Sequence, residues 1–68
     1  MDYDELQEII DDLGHIQITI AKERKNIDCA DCEEFRCIVE RALSSDIPRG
    51  LRMWCIALRG EIDRVEDE

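Results

Sequence analysis

With 68 residues, 18 acidic side chains and 9 basic ones, the chain is one domain of formal net charge −9. That balance opposes the basic footprint of a nucleic-acid binder and disfavours anionic membrane surfaces. A hydrophobic content of 44%, placed in periodic stripes, also excludes a disordered chain.

The size is close to the lower limit for a self-sufficient core, so well-packed helices, a dimer, a metal or disulfides are expected to help. Tyr3, Phe35 and Trp54 are the only aromatic residues, which leaves most of the core to Ile and Leu. The start, MDYDELQEII, is acidic and has no long apolar run. No secretory signal or membrane span is therefore expected, and the protein is read as cytoplasmic with reduced thiols.

Residues 4 to 26 read as one long helix of about 34 Å. Leu6, Ile9, Leu13, Ile16 and Ile20 step by threes and fours, and Ile27 would continue the series. Ile10 widens the stripe, and Ile18 is apolar off it. Asp2, Asp4, Glu5 and Glu8 crowd the start, while Lys22, Arg24 and Lys25 crowd the end. Both placements suit the helix dipole.

A turn is expected from Asn26 to Asp31, with Asp31 and Glu34 forming a capping box for a second helix over residues 32 to 43. Its apolar face is Phe35, Ile38, Val39, Ala42 and Leu43. Ser44, Ser45, Asp46 and Pro48 end it and start the third helix, residues 48 to 65. There Ile47, Leu51, Trp54, Leu58, Ile62 and Val65 repeat the spacing, ahead of a solvated tail of Glu66, Asp67 and Glu68.

Three amphipathic helices with short turns predict an all-α, up-down-up three-helix bundle. The alternative is a helical hairpin that dimerises into a four-helix bundle along the first helix. The up-down-up order would bring the acidic start of helix one near Arg49 and Arg52, and the acidic end of helix three near Lys22, Arg24 and Lys25. Gly14 and Gly60 lie inside expected helices at a cost of about 1 kcal/mol each relative to Ala. Close helix approach would explain them; so would a fray at Gly60 and a break at Gly14-His15.

The cysteines, Cys29, Cys32, Cys37 and Cys55, follow C-x2-C-x4-C-x17-C. Four thiolates can hold zinc, and a structural zinc would suit a chain this small. The usual zinc pattern, however, has two CxxC pairs and here there is one. A redox CxxC prefers a helix N-terminus, but Asp28, Asp31, Glu33 and Glu34 surround this one. A disulfide would join 29 to 32 or 37 to 55. The simplest reading makes the cysteines small buried hydrophobes, with Cys32, Cys55 and Cys37 beside the apolar stripes and no cofactor required.

His15 alone makes no catalytic arrangement and reads as a surface or half-buried helix residue. The carboxylate pairs Asp11-Asp12 and Glu33-Glu34 read as solvated faces. No phosphate loop, EF-hand loop or nucleophile motif is present, so an enzyme is not expected. Trp54 reads as core filler; as an exposed anchor it would sit with Arg49, Arg52 and Arg59.

The expected function is that of a non-enzymatic helical protein docking an acidic face on the basic surface of a protein partner. The expected contact residues are Asp4, Glu5, Glu8, Asp11, Asp12, Asp31, Glu33 and Glu34. No direct contact with nucleic acid or membrane is expected. Size, acidity and lack of chemistry fit the profile of inhibitors encoded by mobile elements, of the anti-CRISPR or anti-restriction type. The alternatives are a zinc-stabilised regulatory module, with the four cysteines as ligands, and a self-assembling adaptor or homodimer.

Overall fold

The computed structural model describes residues 2–67. The chain forms α1 (Tyr3–Glu23), a 3-10 turn (Arg24–Asn26), α2 (Cys29–Ser44) and α3 (Arg49–Asp67). This is an all-α three-helix bundle, 35 Å along its longest axis, about the length of α1 with its 3-10 extension. Glu68, the last residue of the expected acidic tail, lies outside the described residues.

α1 begins at Asp2, whose carbonyl accepts from the Leu6 N–H at 3.1 Å. It runs unbroken through Gly14 and His15, so the expected break there does not occur. Close approach does not explain the glycines either: a Cβ on Gly14 or Gly60 would meet nothing within 4 Å.

α2 begins three residues before the expected position. Its cap is Asp28, whose side chain accepts from the Asp31 N–H at 2.9 Å, while its carbonyl accepts from Cys32 at 3.1 Å. The D-x-x-E box at Asp31 and Glu34 is therefore corrected. A second D-x-x-D frame three residues upstream places the first orphan N–H groups within reach of Asp28.

Ser44 and Ser45 close α2 by donating their hydroxyls to the carbonyls of Glu40 and Arg41 at 3.0 and 3.2 Å. Pro48 opens α3 by offering its carbonyl to the Arg52 N–H at 3.0 Å. Its missing N–H costs nothing there.

The core joins one stripe from each helix: Leu13, Ile16 and Ile20; Cys32, Phe35, Val39 and Ala42; Cys55, Leu58, Ile62 and Val65, with Ile47 in the loop. No polar or charged residue is buried among the described residues. Burial of these apolar side chains supplies the folding drive, at about 1.5–3 kcal/mol for each large one. Of the heptad-like stripe of α1, Leu13, Ile16 and Ile20 are buried in this core and Ile9 packs partly against it.

Polar pairs fix the register. Trp54 donates to Gln17, and Arg24 meets Glu61; both pairs are 37 residues apart in sequence. A constant offset means that α1 and α3 run parallel. Arg36 reaches across from α2 to Asp63 and Glu66 at 2.6 Å each. Burial alone would lower the Arg36 pKa, but Glu66 and Asp63 outweigh it and hold it above its ordinary value.

The charge pairing expected at the two ends occurs at one. Arg24 meets Glu61 at 3.4 Å, whereas Arg49 and Arg52 form no ion pair among the described residues. The register explains this. An offset of 37 sets Arg49 level with Asp12, so residues 3–11 of α1 extend about two and a half turns beyond the start of α3.

Candidate protein-binding surface

The negative charge is concentrated on two helices. α1 carries Asp4, Glu5, Glu8, Asp11, Asp12 and Glu23 against Lys22 alone. α2 carries Asp31, Glu33, Glu34 and Glu40 against Arg36 and Arg41, and Arg36 is engaged by α3. α3 balances four arginines with four acids.

The seam between α1 and α2 is open at both ends. One mouth, about 300 Å3, is lined by Glu5, Glu8 and Asp12 from α1 and by Arg41 and Ser45 from α2, over Ile9 and Ile38. The other, about 290 Å3, is lined by His15, Glu23, Asp31 and Glu34 over Ile27, Phe35 and Ile38. Ile38 belongs to both, so the two mouths share an apolar floor. Glu5, Glu8 and Asp12 face the seam because spacings of three and four return to one side of a helix.

Of the eight expected contact residues, the fold therefore gathers Glu5, Glu8 and Asp12 at one mouth and Asp31 and Glu34 at the other. Asp4, Asp11 and Glu33 are exposed away from it. Asp11 accepts from Gln7 Nε2 at 3.2 Å. None of the eight forms an ion pair among the described residues. Glu23, Ile9, Ile27, Ile38 and Arg41 complete the seam and were not among the expected contacts. The i, i+3, i+7 placement of Glu5, Glu8 and Asp12 beside Ile9 is the signal that could have found the near mouth.

A second groove, about 390 Å3, lies between α1 and α3, lined by Ala21, Ala57, Arg24 and Glu61 beside Trp54 and Gln17. Trp54 is half-buried, so it is neither full core filler nor a free anchor. Its indole N–H reaches Gln17 Oε1 at 2.8 Å.

The cysteines divide in two. Cys32 and Cys55 are buried in the core, as the apolar reading expects, whereas Cys29 and Cys37 are exposed; for Cys37 that corrects the expectation. All four are free thiols. Burial raises the Cys32 pKa, helped by Glu66, Cys29 and Asp31 against Arg36. Burial likewise raises that of Cys55, against the nearby Arg52.

A four-thiol site does not fit this geometry. Cys32 sits at the level of Glu66, whereas Cys55 lies eleven residues back along α3, about 16 Å in helical rise. A 37–55 disulfide fails for the same reason. Arg36, next to Cys37, meets Asp63, which is eight residues or about 12 Å beyond Cys55. Disulfides need Cα atoms within roughly 7 Å. Among the described residues no three of His, Cys, Asp and Glu are placed to hold a metal ion.

No helix among the described residues is long and apolar enough to cross a membrane. No family model, curated protein or solved structure matches the chain.

Proposed function

We propose that this chain is a small acidic non-enzymatic protein that binds another protein through the α1–α2 seam, docking on a basic surface that normally holds nucleic acid. A mobile-element inhibitor of the anti-CRISPR or anti-restriction type is the fitting biological role. One observation carries the reading: Glu5, Glu8 and Asp12 line one mouth of an apolar-floored seam and have no ion-pair partner among the described residues. Carboxylates gathered this way steer a basic partner at long range.

The test presents the immobilised chain to a panel of basic nucleic-acid-binding enzymes, including CRISPR effectors and restriction endonucleases. Binding is expected to weaken steeply from about 50 to about 500 mM NaCl, as screening shortens the reach of the charges. Duplex DNA is expected to compete, and Glu5→Lys with Glu8→Lys to abolish binding. A bound partner indifferent to salt and to DNA overturns the reading.

A further inference from the structure

α2 begins at Cys29, and its first turn holds two thiols of opposite accessibility. Cys29 is exposed in the position after the Asp28 cap, and Cys32 is 3% exposed, one turn on. Residues three apart on an α-helix have Cα atoms about 5 Å apart, inside the roughly 4.4–6.8 Å that a disulfide spans. A helical side chain leans towards the N-terminus, so Cys32 lies back over the turn that Cys29 occupies. No other pairing is within reach. Cys32 and Cys37 are five apart, about 9 Å on the helix, and Cys55 lies at the far end of the core.

We propose that Cys29 and Cys32 are a reversible dithiol–disulfide site whose substrate is a low-molecular-weight disulfide, with Cys29 as the attacking thiol and Cys32 as the resolving one. The chemistry balances in two steps. The Cys29 thiolate attacks one sulfur of the substrate, its S–S bond breaks, and one small thiolate leaves. Cys32 then gives its proton to solvent and attacks the Cys29 sulfur, and the second small thiolate leaves. The protein loses two electrons and two protons, and the substrate is reduced to two thiols. The burial that raises the Cys32 pKa also keeps it from reacting first. The two thiols do not line the docking seam, although Asp31 between them lines its far mouth.

The test uses the full chain carrying Cys37→Ser, which removes the other exposed thiol. It is incubated with glutathione disulfide, acid-quenched, and read by intact mass and peptide mapping. The expected product has lost two hydrogens, carries a 29–32 bond, keeps Cys55 reduced, and reverts with excess reduced glutathione. Adding Cys29→Ser is expected to leave Cys32 unreacted in a chain that still folds, because Cys29 is exposed. Adding Cys32→Ala is expected to trap Cys29 as the mixed disulfide. A persistent mixed disulfide at Cys29 while Cys32 is present, or a bond between two chains, overturns the proposal.

Discussion

Trp54 donates its indole N–H to Gln17 Oε1 at 2.8 Å, and this contact sets the parallel register of α1 and α3. About two and a half helical turns separate Tyr3 from the level of Asp12, where α3 starts. The acidic start of α1 is consequently free of the arginines of α3 and faces α2 instead. The register thus turns a solvated end into one mouth of the seam.

Trp54→Phe removes the hydrogen bond but keeps most of the ring. Because Gln17 is exposed, water replaces the lost partner, and the cost is expected to be about 0.5–1 kcal/mol. Trp54→Ala also removes half-buried ring area, and about 2 kcal/mol is expected. Urea unfolding followed by circular dichroism measures both, since each variant lacks the only tryptophan. Equal losses would mean that the ring contributes nothing beyond its N–H.

The Asp28 cap makes a sharp distinction between two helix starts. Asp28→Ala is expected to cost about 1 kcal/mol, because the Asp31 N–H loses its acceptor. Glu34→Ala is expected to change stability by less than about 0.5 kcal/mol, as an exposed site outside the cap. Thermal unfolding of the two variants checks this. The reverse order would restore the start at Asp31.

The sequence made the three helices legible because each apolar stripe recurs at the helical period and each junction carries Gly-free turn chemistry or Pro48. It misplaced the start of α2 because Asp28 and Asp31 are both good caps with an acid three residues later. Nothing local decides between them; burying Cys32 in the core does, since that requires a helical turn before it. The seam was half legible. The acids were visible, but Ile9 and Ile38 read as ordinary stripe residues until the packing left them half-buried at an open edge. The fate of Cys37 was a matter of phase: five residues past Cys32 it turns away from the core.

Gly14→Ala and Gly60→Ala are each expected to stabilise the protein, by up to about 1 kcal/mol. Both lie in uninterrupted helix, and an added Cβ meets nothing within 4 Å at either. The gain comes from reduced freedom of the unfolded chain and better helix propensity. The sites sit on different helices and share no partner, so the double variant is expected to show the sum of the two gains. Denaturant midpoints measure it; a loss at Gly14 would indicate that the α1 surface there is needed bare.

Stability is expected to fall at alkaline pH because of the buried thiols. Burial, foremost, raises the pKa values of Cys32 and Cys55 above that of an ordinary thiol in the fold. Around Cys32 the facing charges are Glu66, Asp31, Cys29 and Arg36; near Cys55 it is Arg52. In the unfolded chain both thiols ionise near pH 8.5. The folded state then binds more protons than the unfolded one, so stability decreases as pH rises. The contribution is fully present below the unfolded pKa and is lost as pH passes through the raised folded values. The urea midpoint is expected to hold from about pH 7 to about pH 8 and to begin dropping above about pH 8.5, before most lysines deprotonate and the tyrosine ionises. Replacing both buried cysteines with Ala is expected to lower stability at every pH but to flatten that drop. An unchanged slope in the double variant would assign the alkaline loss to other groups.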